Sequence, residues 1–176
     1  SLSILTISIS KIIYNAGSWG YGLMDGFYGV GALLSTIVSG YFITRTKKQN
    51  YLLICFFTAG IMCLFVPVLP SLWLASIAYL IMGLTNNSAR IVSRTVFMEM
   101  VSNEIMGRVQ TIFGMYTRVM VIFSSLIAGY MVEKFSIMSG MIFSMGHFFA
   151  SAVGVLIIIR SYEFRKVLLP QEIKIK

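Results

Sequence analysis

The sequence predicts an all-α membrane protein, a polytopic bundle of five complete transmembrane helices preceded by the end of a sixth. Of its residues, 57% are hydrophobic and only 11% are charged, whereas a soluble domain carries about 25% charged residues. The mean hydropathy is +0.86. Apolar runs close to the length that crosses a bilayer as a helix, about 20 residues, recur along the chain. Basic residues gather at the ends of these runs.

The first complete span is Gly20–Thr44, in which Asp25 is the single charged residue. Directly after it come Arg45, Thr46, Lys47 and Lys48. Because Arg and Lys accumulate on the cytoplasmic side of spans, we expect this helix to run from outside to inside. Every later span takes its orientation from this one.

The remaining segments alternate across the bilayer. Ser1–Ser10 is apolar but too short to span, so we interpret it as the last turns of a helix whose beginning is absent, and the chain as a fragment cut at its start. Lys11–Trp19 is expected to form an outer loop. The further predicted spans are Tyr51–Leu69, Leu72–Arg90, Gln110–Val132 and Ile137–Ile159. Residues 1–160 thus form one transmembrane unit, and residues 161–176 form a basic cytoplasmic tail.

The distribution of Lys and Arg supports this topology. Of the 14 basic residues, 11 fall on the predicted inner side and only Lys11 and Lys134 fall outside, with Arg118 inside a span. The sequence therefore predicts a multi-pass protein of the cell membrane whose C-terminus is cytoplasmic. The net charge of +8 does not indicate nucleic-acid binding, since the basic residues form no continuous face. They suit contacts with lipid headgroups.

The first span has two distinct faces. At about 100° per residue, small or polar side chains fall on one stripe and bulky apolar ones on the opposite side. Because small residues let a neighbouring helix approach closely, we expect the small stripe to pack on another helix and the bulky one to face lipid. The small stripe comprises Gly22, Asp25, Gly29, Ala32, Thr36 and Ser39.

Three sequence features resemble the major facilitator superfamily, specifically its C-terminal six-helix half. The glycine-rich helix Gly22–Gly40 with the basic turn Arg45–Lys48 is similar to the family's eighth helix and following loop. Val101–Val109, with Gly107-Arg108-Val109 at its end, resembles the motif before the eleventh helix of the drug, macrolide and siderophore efflux branch. Leu126–Glu133 resembles the usual end of that helix.

The resemblance implies half of a twelve-helix secondary transporter, which exports a small amphipathic compound by alternating access, driven by protons. It also implies a missing N-terminal half-bundle as partner, besides the lipid bilayer, the small-molecule substrate and protons. A truncated membrane protein that packs with partner helices without transporting, and an importer, are the alternatives. No nucleophile–base pair, phosphate loop or metal-ligand spacing points to an enzyme, a cofactor or a metal.

Charged and amide side chains inside the spans are the candidates for the translocation path. Arg118 lies roughly 13 Å into its span at helical rise, on a stripe with Gly114 and Ser125. Such charges face a bundle interior or a water-filled cavity, although a structural Arg that bonds helix-end carbonyls is the alternative. Asp25 is a candidate proton site or an interfacial residue, and we do not expect it to pair with Arg118.

The other polar residues within the spans have weaker claims. Asn86 and Asn87 either line the cavity or bond across helices. His147, the only histidine, is expected to be a packed residue rather than a proton relay.

Charged residues at the predicted inner ends resemble the cytoplasmic gate of the family. The alternative role for them is headgroup anchoring. If the chain before the fourth complete span is helical, Glu104 and Arg108 share one helix face. The candidate gate residues are Arg45, Lys48, Arg94, Glu104, Gly107 and Arg108, with Arg90 and Glu99 in the same network.

Overall fold

The computed structural model describes residues 2–102 and 104–160, in which every regular element is helical. Short α1 continues into a π-helical turn at Ile9–Ile13, and α3 continues into a 3₁₀ turn at Val66–Val68. The predicted tail, residues 161–176, lies outside the described residues. The helices are α1 Leu2–Ser8, α2 Gly17–Arg45, α3 Lys48–Phe65, α4 Leu72–Met100, α5 Met106–Lys134 and α6 Ile137–Arg160.

These elements confirm an all-α membrane bundle. In the described part of the chain, four helical segments are long and apolar enough to cross a membrane: Gly17–Arg45, Lys48–Val68, Met106–Lys134 and Ile137–Ile157. Helix α4 has 29 residues and is long enough, but its second half is polar. Because α4 packs between α2 and α3, less of its surface has to be apolar for lipid.

Helix α4 is also ten residues longer than the predicted span Leu72–Arg90. It begins where the Ser71 hydroxyl accepts a hydrogen bond from the Trp73 amide at 3.3 Å, as an N-cap does. Residues 91–100 contain neither Gly nor Pro, so nothing in the chain ends the helix at Arg90. Arg90 and Arg94, predicted to lie at the end of the span and in a connection, are therefore both helical.

The predicted outer loop Lys11–Trp19 is largely helical, and the turn is confined to residues 14–16. Lys11 belongs to the π-helical turn, and α2 already begins at Gly17. Asn15 and Gly17 adopt φ angles of 50° and 52°, in the left-handed region that these two residue types tolerate best. Both residues lie within the segment predicted to be an outer loop.

The helices form a ring whose order differs in part from the order of the sequence. Helix α2 packs on α4, α4 on α3, α3 on α6 and α6 on α5, while α1 contacts α2, α5 and α6. The connections at Arg45–Lys48 and at residues 101–105 lie at the same end of the ring, which we call the basic end. One core cluster, around Met24, Tyr79 and Met141, includes α1, whereas another, around Tyr51, Ala89 and Val92, includes the start of α3.

The closest helix contact is made by glycines of α2 and α4. A Cβ on Gly31 would lie 2.0 Å from the Leu80 carbonyl oxygen, and one on Gly83 would lie 2.1 Å from the Tyr28 carbonyl oxygen. The two backbones therefore touch directly, and a methyl group at either position would force them apart.

This contact corrects the predicted packing stripe of the first span. Ser39 is buried, but Gly22, Asp25, Gly29 and Thr36 are exposed. The buried face contains Gly20, Met24, Gly31, Ser35 and Ser39 instead. It is rotated about 100° around the helix from the predicted stripe, because the backbone approach at Gly31 decides which side meets α4.

Candidate functional site

An ion pair ties α3 to α4 at the basic end. Lys48 is the first residue of α3 and Glu99 the penultimate residue of α4. The Lys48 ammonium donates to both carboxylate oxygens of Glu99, at 2.6 and 2.5 Å. The Lys48 side chain is 17% exposed and the Glu99 side chain 42% exposed, so water screens this pair only in part.

Two of the three arginines of the predicted gate, Arg94 and Arg45, have neutral partners. The Arg94 guanidinium donates to the Gln110 side-chain oxygen at 3.4 Å, which links α4 to the start of α5. The Arg45 guanidinium lies 4.5 Å from the centroid of the Tyr41 ring, one turn earlier on α2. This is a cation–π distance within one helix. Arg45 is thus held on its own helix.

The remaining gate candidates surround the start of α5. Helix α5 begins at Met106, so Glu104 lies in the preceding turn and does not share a helix face with Arg108. The shared face was expected only if the segment that contains Glu104 is helical, and this condition is not met. Within the described residues, Glu104 and Arg108 are exposed and form no ion pair, and Gly107 is exposed with open space beside it.

The two asparagines predicted for the path behave differently. The Asn86 amide donates to the Tyr28 hydroxyl at 2.7 Å, across the α2–α4 contact. The Asn87 amide donates to the Gly83 carbonyl within its own helix at 2.9 Å. Both side chains are half-buried. Asn86 therefore bonds across helices, as one of the two expectations stated, while Asn87 satisfies its amide locally.

Asp25 on α2 and Arg118 on α5 are both exposed. These two helices do not pack closely on each other. Arg118 is two residues from the middle of α5, and Asp25 is six residues from the middle of α2. Neither side chain has a hydrogen bond or ion pair with another described residue. The structure thus presents two intramembrane charges on open faces, which is the placement found at translocation paths and at helix–helix interfaces.

Several residues that hold the site together were not singled out from the sequence. Three of their contacts depend on which helices meet. These are the contacts of Gln110 with Arg94, of Tyr28 with Asn86, and of Gly83 with α2. Glu99 was placed in the network, but its pairing with Lys48 joins residues 51 positions apart. The clearest signal was available at Gly83, since a glycine inside a helix requires a packing reason.

Other features of the described residues add no second site. No group of His, Cys, Asp and Glu in that part of the chain could hold a metal ion. An open cleft of about 350 Å³ lies at the end opposite the basic end, lined by Ile7, Lys11, Gly17, Ser18 and Tyr21, away from Arg118. His147 is exposed rather than packed, with Nδ1 3.0 Å from the Phe143 carbonyl oxygen.

A comparison with family models identifies the fold family. Residues 1–173 match the model of the Major Facilitator Superfamily, which covers nearly the whole chain. Neither the search of curated proteins nor that of solved structures finds a match. The helical bundle, the intramembrane charges and the extent of the family match agree, and the chain belongs to the major facilitator superfamily of membrane transporters.

Proposed function

We propose that this chain is the C-terminal half of a proton-driven exporter of a small amphipathic compound. In this proposal residues 1–160 form one half-bundle, residues 161–176 a cytoplasmic tail, and the basic end faces the cytoplasm. The two halves rock about a site near the bilayer midplane, which opens alternately to each side. The chain acts in the cell membrane with a missing N-terminal half-bundle.

The observation that carries the proposal is the open face of α2. A Cβ on Gly22, Gly26 or Gly29 would meet nothing within 4 Å, and Asp25 lies among them. Each glycine inside a helix lowers helix stability by about 1 kcal/mol relative to Ala. Contact with lipid does not offset this loss, whereas close packing of another helix does. Gly22 and Gly26 have the spacing with which helix backbones approach closely in membranes. A further helix covering this face, contributed by the other half-bundle, explains the glycines.

The described ends of α2, α3, α4 and α5 fit a gate on the cytoplasmic side. Lys48–Glu99 and Arg94–Gln110 hold the ends of α3, α4 and α5 to one another, and Arg108 and Glu104 remain available to the other half. Asp25 and Arg118 lie deeper and are assigned to the translocation path together with Asn86 and Asn87. Asp25 is the carboxylate of this half placed to carry the coupling proton.

The test uses the full-length protein in proteoliposomes that enclose a pH-sensitive dye. When a proton gradient is imposed, we expect transported small amphipathic compounds to accelerate proton movement across the membrane. Asp25→Asn should abolish that acceleration. Ser18→Ala, at the exposed start of the same helix, serves as the matched control. Compound flux that runs with the proton gradient instead of against it identifies an importer. Absence of any compound-dependent flux supports the non-transporting alternative and contradicts the proposal.

A further inference from the structure

Helices α4 and α5 form a groove that is bridged only near the basic end in the described structure. They follow each other in sequence but are not among the closely packed helix pairs. Two side-chain contacts join them: Arg94 donates to Gln110 at 3.4 Å, and the rings of Phe97 and Phe113 stack with their centroids 5.4 Å apart. One to two turns farther from the basic end, Arg90 on α4 and Arg118 on α5 are both exposed, so we call the surface between these two helices the α4–α5 groove.

The α4 side of this groove is basic. Arg90, Arg94 and Phe97 follow the spacing i, i+4 and i+7, so they lie on one stripe of α4. Arg94 and Phe97 both reach α5, and Arg90 continues the same stripe one turn farther from the basic end. The Arg90 side chain is exposed and has no ion pair with a described residue.

Arg118 lies at the level of Arg90 on the other side. The helices are antiparallel, so the Arg94–Gln110 contact places Arg118 level with Asn86, and the Phe97–Phe113 contact places it level with Val92. Arg90 falls between these limits. Arg118 belongs to the i+4 row that begins at Gln110 and passes through Gly114, where a Cβ would meet nothing within 4 Å.

The carboxylates of the described residues do not neutralise these guanidiniums. Glu99 is held by Lys48, Asp25 is on α2, and Glu133 is at the far end of α5. Glu104 lies in the exposed turn before α5. Two unpaired guanidiniums at one level repel each other, and an anion between them removes this repulsion and gains charge-assisted hydrogen bonds.

We infer that the α4–α5 groove binds an anionic group and that this group, a carboxylate or phosphate, belongs to the transported compound. A guanidinium presents a planar fork of donors that matches both groups. The inference rests on the proposed transport function and narrows it, because the amphipathic compound is then an anion rather than a cation. The headgroup of an anionic lipid shares this chemistry and is the other source that the experiment has to separate.

The experiment measures binding of carboxyfluorescein, an amphipathic carboxylate, to the purified full-length protein in nanodiscs of phosphatidylcholine. Loss of one charge-assisted hydrogen bond weakens binding by about tenfold or more. We therefore expect at least that loss for Arg90→Gln and for Arg118→Gln. Lys134→Gln removes the same charge at the opposite end of α5 and should leave binding unchanged. A parallel arm measures how much phosphatidylglycerol each variant retains.

Each outcome decides the inference. Dye binding that falls in both arginine variants and persists in Lys134→Gln supports it, provided the retained phosphatidylglycerol does not change. Retained lipid that falls in the arginine variants, without dye binding, shows that the anion is a headgroup and overturns the substrate assignment. Equal dye binding by all variants also overturns it. If a cationic dye drives proton flux and carboxyfluorescein does not, the anionic substrate is refuted. The proposed transport function still stands in that case.

Discussion

Arg118 is the residue whose placement most directly links structure to transport. It is exposed near the middle of α5 and has no described carboxylate partner. A charge at the centre of a spanning helix costs about 2.5–3.5 kcal/mol on insertion scales, so it requires a partner or water. In the proposed function, both requirements are met beside the translocation path.

We predict that Arg118→Ala abolishes transport by the full-length protein while its membrane content stays normal. Arg118→Lys should keep partial activity at best, because an ammonium does not reproduce the bidentate fork. The measurement is efflux from cells, with membrane content checked by immunoblot and Lys134→Ala as the control. Full efflux by Arg118→Ala would make the residue dispensable, and loss of the protein would make it a folding residue.

At the α2–α4 contact, we predict that Tyr28→Phe lowers stability with little effect on transport. The variant removes the hydroxyl that accepts from Asn86 at 2.7 Å and keeps the ring. Hydrogen bonds between membrane helices contribute roughly 0.6 kcal/mol, with a maximum of about 1.7. Thermal unfolding in detergent measures the loss, with Tyr130→Phe, exposed on α5, as control. A transport defect at unchanged stability would mean that the Tyr28 hydroxyl itself contacts the substrate.

At the scale of elements, α2 and α4 form one unit because their backbones touch at Gly31 and Gly83. We predict that Gly31→Ala and Gly83→Ala each destabilise the protein by about 1–3 kcal/mol, the usual cost of overpacking. Gly146→Ala on α6, where a Cβ meets open space, should not destabilise the protein and should add about 1 kcal/mol of helix stability. Melting temperature and membrane content provide the measurement. Equal melting temperatures for all three variants would show that the two backbones do not touch.

The Lys48–Glu99 pair joins α3 to α4 at the basic end. We predict that Lys48→Gln and Glu99→Gln each lose about 0.2–1 kcal/mol, as partly exposed pairs do. The exchanged double variant, Lys48→Glu with Glu99→Lys, should recover most of that loss. A double-mutant cycle on the unfolding free energy provides the test. Strictly additive single effects, with no recovery on exchange, would mean that the pair contributes nothing.

The elements themselves were largely predictable, and their partners were not. Apolar length and the absence of charge located α2, α3, α5 and α6 to within a few residues. The polar second half of α4 concealed ten helical residues, because the helix continues past its apolar part to the basic end, where Arg94 and Glu99 are exposed. The face of α2 that meets α4 lies about 100° from the predicted stripe, since small residues occur both where α4 packs and on the open face.

At the scale of the whole molecule, the site follows from which helices share the basic end. The sequence placed Arg45, Lys48, Arg94, Glu104, Gly107 and Arg108 near one membrane surface, and the helix order brings their segments to one end of the ring. Individual pairings such as Lys48 with Glu99 depend on contacts between distant parts of the chain, which a single sequence does not specify. The resemblance to the major facilitator superfamily was confirmed by the family match.

Every functional assignment depends on the orientation of this ring in the membrane, and thiol labelling measures it directly. Cys55 and Cys63 are buried, so introduced cysteines will dominate the signal once other accessible cysteines of the full-length chain are replaced. Ser18 and Lys47 are exposed at opposite ends of α2. We predict that a membrane-impermeant maleimide labels Ser18→Cys in intact cells and labels Lys47→Cys only after the membrane is permeabilised. Labelling of Lys47→Cys in intact cells, with Ser18→Cys protected, would contradict the account.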